Sequence, residues 1–156
     1  MIGAGPFVGR MLSRDQVAQA YPLLALSGSD IGPEQWRWLA LALLTEAAPP
    51  PAGIMTLQSE QGYIHGLFRF RVVVEREGKT LRIDDLYGLD FFDRSLARSL
   101  VAVLEGLARD FRCVAIDVTL PSADRESDLH RRLQGAGYIA TARSLRKSSG
   151  LARNRP

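Results

Sequence analysis

The strongest hydrophobic pattern in the chain lies in residues 93–110, and it predicts an amphipathic helix. Apolar residues recur there every three or four positions, whereas most of the charged residues fall on the opposite side. The apolar set comprises Leu96, Leu100, Val101, Val103, Leu104, Leu107 and Ala108. Asp93 is the expected N-cap, because an aspartate side chain accepts a hydrogen bond from a backbone N–H of the first turn.

Strand-like sequences flank this helix. Residues 81–87 precede it across a short loop at 88–92, and residues 113–120 follow it as a nearly continuous apolar run rich in β-branched side chains. A helix that connects two strands of one sheet as a crossover makes those strands parallel. Its first turn then presents uncapped N–H groups at the carboxyl edge of the sheet, where phosphate groups commonly bind. We therefore expect the chemistry of the protein at this strand, loop and helix.

Apolar and polar residues alternate along residues 63–75, which predicts a long strand. The alternation places Ile64, Phe68, Phe70, Val72 and Val74 on one face, and Tyr63, His65, Leu67, Arg69 and Arg71 on the other. Short turns connect this strand to the predicted strands at 54–58 and 81–87. Strands joined by such short turns must be antiparallel.

The outer parts of the chain complete the predicted order of elements. Residues 7–12 indicate a short strand, followed by helices at 15–26 and 33–47, the first with a kink or an early break near Pro22. Beyond the central region, the pattern predicts a helix at 124–136 that stops at Gly137, and then one last strand or a bent strand pair. We expect one domain over residues 1–147 and a basic, mobile tail at 148–156.

Composition narrows the class of protein. A chain of 156 residues that is 46% hydrophobic can bury the core of one ordinary domain. Its one cysteine, Cys113, excludes an internal disulfide, and its two histidines lack metal-ligand spacing, so we expect no metal and a reducing, cytoplasmic location. The start of the sequence lacks the features of a secretory signal, and no segment is apolar enough to span a membrane.

The net charge of +3 comes largely from basic residues near the C-terminus. No aromatic residues interleave with them, so we expect solubilising charge rather than a nucleic-acid site, and nucleic-acid binding through the tail stays a third hypothesis for the function. Trp36 lies on the apolar stripe of its helix and is expected in the core. Trp38 lies off that stripe and is expected to face a cleft or a partner.

The order of elements, the pair Gly137-Tyr138 and the central strand, loop and helix resemble the GNAT superfamily of acyl-CoA-dependent N-acyltransferases over residues 7–147. The resemblance implies a mixed α/β (α+β) fold, with a mostly antiparallel central sheet of six to seven strands and helices on both faces. It also implies that acetyl-CoA or another acyl-CoA is the co-substrate, and that an amine attacks the acyl group directly.

In that family the loop after the fourth strand carries Gln/Arg-x-x-Gly-x-Gly/Ala, which falls here on residues 92–97. Ala97 keeps the pattern, whereas Phe92 replaces Gln or Arg and Ser95 replaces the first glycine. Backbone N–H donors do not depend on side-chain identity, so this degenerate loop can still hold a pyrophosphate. The residues expected to bind the cofactor are Tyr87, Phe92, Arg94, Ser95, Leu96, Ala97 and Arg98.

The acceptor amine must lose a proton before it attacks, so a base near the cleft is required. The candidates are Asp84 and Asp85 in the central strand and His65 in its neighbour. The alternative is that the aspartates pair with Arg82 or Arg69 across the sheet and that His65 is an ordinary hydrogen-bonded histidine. The family often has a tyrosine that protonates the leaving thiolate, and Leu133 occupies the matching position, so this acid is absent.

Two functions of different classes follow from these observations. The first is an acyltransferase that acts on a small-molecule or peptide amine, with no membrane partner. The second is a non-catalytic GNAT-like module for ligand binding or protein association, which the altered loop and the missing tyrosine favour. The acceptor and the oligomeric state, including a homodimer, stay open.

Overall fold

Seven strands form one mixed sheet in the computed structural model, which describes residues 6–26, 29–44, 52–88, 94–120, 128–140 and 145–148. The strands are β1 (Val8–Met11), β2 (Ala52–Gln58), β3 (Ile64–Glu75), β4 (Gly78–Gly88), β5 (Ala115–Val118), β6 (Ile139–Ala140) and β7 (Leu145–Ser148). Their spatial order is β1-β2-β3-β4-β5-β7-β6. Only β4 and β5 pair in parallel, as the predicted crossover requires, and the other neighbours are antiparallel.

Four α-helices cover the sheet within the described ranges. They are α1 (Val17–Leu26), which follows a short 3₁₀ turn at Arg14–Gln16, α2 (Pro33–Leu44), α3 (Arg94–Asp110) and α4 (Asp128–Gly135). α1 and α2 pack on one face of the sheet, and α3 and α4 pack on the other. The described helices include none that is long and apolar enough to cross a membrane.

The two faces of the sheet have separate cores. On the α3 side, Phe68, Phe70 and Ile83 pack against the apolar stripe of α3, which includes Leu100 and Leu104. On the other side, Leu24, Trp36, Ile54 and Leu67 form a second cluster. The Trp36 indole N–H donates to the Val17 carbonyl oxygen at 2.7 Å, so this buried aromatic has its polar atom satisfied. The prediction for Trp36 is confirmed, and Trp38 is 79% exposed.

A β-bulge changes the predicted faces at the start of β3. Leu57 pairs with Gly66 while the next residue, Gln58, pairs with Ile64, so His65 is an extra residue without a partner in β2. Ile64 therefore packs with the α1/α2 cluster rather than with Phe68, and the predicted strict alternation is wrong at this end. A bulge shifts all preceding side chains by one face.

Other boundaries differ from the predicted ones for local reasons. α1 continues through Pro22 to Leu26, and Pro22 itself is exposed. β4 begins at Gly78 rather than at residue 81, because the hairpin turns at residues 76–77 and Gly78 takes φ 138°, which suits glycine. The predicted cap Asp93, residues 124–127 of the predicted fourth helix and residues 149–156 of the tail lie outside the described residues; Ser148 belongs to β7.

Cys113 is a core residue, and Gly137 ends a helix as predicted. The Cys113 side chain is fully buried in the core on the α3 side. Burial raises the pKa of its thiol, and the positive charge of Lys79 opposes that shift. Gly137 ends the α4 region with φ 97°.

We expect Ser99→Ala to stabilise the protein by about 1 kcal/mol. Ser99 lies in α3 with no exposed surface, and its hydroxyl has no hydrogen-bond partner among the described residues. Alanine removes this buried polar atom and is the better helix former. Urea unfolding of both proteins measures the difference, and a lower midpoint for the variant would contradict this account of the hydroxyl.

Candidate active site

The parallel strands β4 and β5 pair over only part of the length of β4. Residues 80–83 pair with residues 115–118, and the Thr119 N–H donates to the Ile83 carbonyl oxygen at 3.0 Å just beyond. β4 then continues to Gly88 with β3 alone beside it. Within the described part of the chain, the other edge of residues 84–88 has no strand next to it. An extended ligand that contains amide groups can therefore pair with this edge.

A second bulge lies in this part of β4. Arg69 pairs with Asp84 and Leu67 pairs with Tyr87, so β4 advances three residues where β3 advances two. Asp85 and Leu86 consequently have no partner in β3. Asp85 has φ 51°, a left-handed conformation that aspartate tolerates better than most residues. The bulge takes the backbone of these two residues out of the regular ladder and leaves it available to a ligand.

The first turn of α3 follows β4 closely in the chain. Only residues 89–93 separate Gly88 from Arg94, so this turn lies within about 20 Å of the end of β4. Its backbone N–H groups have no acceptor within the helix, and the helix dipole makes this end positive. The Leu96 side chain is buried in the core, so Leu96 can contact a ligand only through its backbone. The Arg94 and Arg98 side chains are exposed to solvent.

A groove of about 540 Å³ runs from this turn between α3 and α4. Small residues form much of its lining, and arginines border it. The lining consists of Arg94, Ala97, Arg98, Val101, Ala102, Glu105, Arg132, Gly135 and Ala136. Neither Arg94 nor Arg98 has an ion-pair partner among the described residues. The groove therefore suits a long ligand with several negative charges.

Lys147 from β7 contacts two residues of the groove lining, Glu105 and Ala136. Its ammonium lies 2.8 Å from a carboxylate oxygen of Glu105 and donates to the Ala136 carbonyl oxygen at 2.7 Å. It also lies 5.8 Å from the centre of the Tyr138 ring. Burial, helped by the charge of Glu105, raises the pKa of the Tyr138 phenol, so this side chain stays neutral at physiological pH.

Both predicted aspartates form ion pairs across β3 and β4. An oxygen of Asp85 lies 3.3 Å from the Arg69 guanidinium, which is one of the two alternatives that the sequence left open. Asp84 pairs with Arg71 at 3.5 Å rather than with Arg82. Arg82 turns instead to Glu75 at 3.5 Å.

His65 lies apart from the two aspartates. Its ring packs on the Phe7 ring with 4.9 Å between centroids, next to the bulge between β2 and β3. Phe7 contacts the core on the α3 side, whereas Asp85 lines a pocket on the α1/α2 side. The structure therefore brings Asp84 and Asp85 together and leaves His65 elsewhere in the sheet.

Tyr87 faces the connection between α1 and α2. Its hydroxyl lies 3.5 Å from the Ser29 hydroxyl, and the Tyr21 hydroxyl donates to the Ile31 carbonyl oxygen at 3.2 Å. The side chain of Tyr87 thus lies on the α1/α2 side, not in the α3–α4 groove. Beneath it, the apolar pocket that Asp85 and Arg69 border is almost filled, with about 10 Å³ left. This pocket is therefore too small to hold a ligand.

Two other positions of the predicted site lie in the core or outside the described residues. Leu133 occupies the position at which the resembled family often has a tyrosine that acts as the general acid. Its side chain is fully buried in the core. Phe92 lies outside the described residues. Sequence reasoning missed the α4 side of the groove, namely Arg132, Gly135 and Ala136; the small residues near Gly137 were the one available signal.

The sequence matches no protein-family model and no curated protein. Many solved structures are similar to it. Spermidine N-acetyltransferase from Vibrio cholerae, solved with CoA and spermine, is 9% identical with a TM-score of 0.73, over 96% of this chain and 99% of that one. Aminoglycoside antibiotic 6'-N-acetyltransferase from Acinetobacter baumannii is 17% identical with a TM-score of 0.67, over 88% and 93%. A GNAT family acetyltransferase from Staphylococcus aureus is 15% identical with a TM-score of 0.65, over 88% and 94%.

At these identities the likeness establishes the fold. The chain has a GNAT-like fold, with a mixed sheet and helices on both faces, and the fold class predicted from the sequence is confirmed.

Proposed function

We propose that the protein binds acetyl-CoA, or another acyl-CoA, and transfers the acyl group to an amine. The observation that carries this proposal is the edge of β4 beyond Ile83, which pairs with no described strand and is followed closely in the chain by the first turn of α3 and its groove with α4. Solved structures with this fold include N-acetyltransferases, one of them in complex with CoA. An acyl-CoA also matches the chemistry of the site, since it combines a negatively charged nucleotide with a chain of amides.

Each part of the site has a role in this proposal. The N–H groups of the first turn of α3 hold the pyrophosphate, and Arg94 and Arg98 add positive charge. The amides of the pantetheine arm pair with the free edge of β4. The thioester carbonyl then lies at the bulge, where backbone N–H groups of Asp85 and Leu86 stabilise the negative oxygen that develops during attack.

Proton transfer uses carboxylates on the α1/α2 side of the sheet, opposite the groove between α3 and α4. Asp85 accepts a proton from the acceptor ammonium, directly or through a water molecule, and the amine attacks the thioester carbon. The thiolate takes its proton from water, because Leu133 offers none. The distant position of His65 makes it a secondary candidate.

Acetyl-CoA at 100 times its dissociation constant is expected to stabilise the protein by about 2.7 kcal/mol. For a chain of this size the melting temperature rises by roughly 5–10 °C. Thermal denaturation with and without acetyl-CoA measures the shift, and acetyl-pantetheine, which lacks the nucleotide, is the control that leaves the groove empty. An unchanged melting temperature at millimolar acetyl-CoA would rule the proposal out.

A non-catalytic role in acyl-CoA binding is the second candidate. It is favoured by the burial of Leu133 and by the ion pair between Asp85 and Arg69. It predicts the same stabilisation without release of free thiol when amines are added. Thiol release therefore separates the two functions.

A further inference from the structure

On the sheet face that carries Asp85, eight charged side chains of β3, β4, β5 and β7 form ion pairs, four of them basic and four acidic. They are Arg69, Arg71 and Glu75 on β3, Arg82, Asp84 and Asp85 on β4, Asp117 on β5 and Arg146 on β7. We call this surface the charged face. Phe70, Val72 and Ile83 pack against α3, so residues that alternate with them project from the opposite side.

Each carboxylate of the charged face is matched by a guanidinium. Beyond the pairs of Asp84 and Asp85, Glu75 lies 3.5 Å from Arg82 and 3.4 Å from Arg146. Asp117 lies 3.0 Å from Arg146. The described part of this face therefore has no surplus of negative charge. A polyamine or another polycationic acceptor would displace guanidinium groups from these carboxylates and leave the arginines without an anionic partner.

The two pairs nearest the bulge are open to solvent. The Asp85 and Arg69 side chains are 40% and 38% exposed, and Arg71 and its partner Asp84 are 55% and 24% exposed. Exposed ion pairs contribute little to stability, so a ligand can replace either partner at small cost. Arg71 stands two residues beyond Arg69 on the same strand, about 7 Å farther from the bulge. Negative and positive groups are thus available side by side at the place where an acceptor would bind.

We infer that the acceptor is zwitterionic: an amine that carries a carboxylate or a phosphate within about 7 Å of its nitrogen. This inference rests on the proposed acyltransferase function. Asp85 binds the ammonium group, while Arg69 and Arg71 bind the anionic group. The ammonium gives one proton to Asp85 or its water, the nitrogen attacks the thioester carbon and the C–S bond breaks. The nitrogen then loses a second proton to solvent, and the thiolate takes one up.

Matched pairs of amines test the substrate class. Glucosamine 6-phosphate is compared with glucosamine, glycine with glycinamide, and spermidine represents the polycations; thiol release from acetyl-CoA gives kcat/KM for each. We expect at least a tenfold advantage for one or both anionic amines over their uncharged counterparts. The glucosamine pair tests for a phosphate on the acceptor, and the glycine pair tests for a carboxylate. A kcat/KM for spermidine equal to or above that of both anionic amines would overturn the inference.

The Arg71→Gln variant tests the assigned residue. We expect it to raise KM for the preferred anionic amine about tenfold and to leave kcat, the uncharged counterpart and stabilisation by acetyl-CoA unchanged. Arg82→Gln is the control, because Arg82 lies opposite Arg71 on the same face, is 39% exposed against 55% for Arg71, and pairs with Glu75. Equal effects of both variants, or none from Arg71→Gln, would show that Arg71 does not bind the acceptor.

Acceptor binding is measured separately from turnover, by thermal denaturation with each amine in the presence and absence of CoA. If CoA stabilises the protein but neither anionic amine binds or reacts, the zwitterion inference is wrong while the CoA site stands. If CoA has no effect but an anionic amine stabilises the wild type more than Arg71→Gln, the acyltransferase proposal is wrong and the charged face is still a zwitterion site.

Discussion

Gly135→Trp is expected to lower the affinity for acetyl-CoA at least 100-fold, equivalent to about 2.7 kcal/mol of binding free energy. Gly135 is the last residue of α4 and lines the groove between α3 and α4. A Cβ added there meets no atom within 4 Å, so a side chain can leave the backbone at this position without a clash. The indole then occupies the space that the proposed nucleotide needs.

Gly135→Ala is the matched control for this variant. It makes the same backbone change but adds a single methyl group, so stabilisation by acetyl-CoA should persist. Isothermal titration calorimetry gives both affinities, and the melting temperatures without ligand verify that neither change unfolds the protein. Undiminished binding to Gly135→Trp would mean that the ligand does not use this groove.

Leu100→Ala is expected to destabilise the protein by about 3–4 kcal/mol. Leu100 lies on the apolar stripe of α3 with no exposed surface, in the cluster that holds this helix on the sheet. Truncation loses the transfer free energy of the side chain and leaves a cavity in a closely packed core. A loss of this size is a large share of the stability of an ordinary domain, about 5–15 kcal/mol.

Urea unfolding followed by tryptophan fluorescence measures this loss, because Trp36 is 3% exposed and its surroundings change on unfolding. Arg109→Ala is the control on the same helix: Arg109 is exposed, and its removal should change stability by less than about 0.5 kcal/mol. A Leu100→Ala midpoint as high as that of Arg109→Ala would mean that this core position packs loosely.

Hydrophobic periodicity predicted the elements whose burial is one-sided and regular. α3 and the parallel pairing of β4 with β5 were predictable because a strongly amphipathic helix between two strands leaves few ways to bury its stripe. The antiparallel order of β2, β3 and β4 followed from the short turns between them. These features depend on contacts between sequence neighbours or on one repeated spacing.

The bulges at His65 and Asp85 were not predictable in the same way. A bulge is defined by the register between two strands. The hydrophobic pattern of a single strand therefore does not show where the extra residue lies. For the same reason the sequence offered Arg82 and Arg69 as partners of the aspartates and missed Arg71, which pairs with Asp84. The α4 wall of the groove depends on where a distant helix docks, and no spacing along the chain encodes that position.

The left-handed backbone of Asp85 decides which replacements can report on its carboxylate. In Asp85→Ala, the alanine would either keep φ near 51° or change the backbone conformation of the strand edge. The left-handed conformation would lower the stability of the fold by roughly 1–2 kcal/mol. A loss of turnover in that variant could then come either from the changed backbone or from the missing carboxylate. Asp85→Asn keeps the size and shape of the side chain and tolerates the same backbone conformation, but it removes the negative charge. Asp85→Gly keeps the backbone conformation and removes the whole side chain. Together these two variants separate electrostatics from shape, which an alanine scan cannot do here.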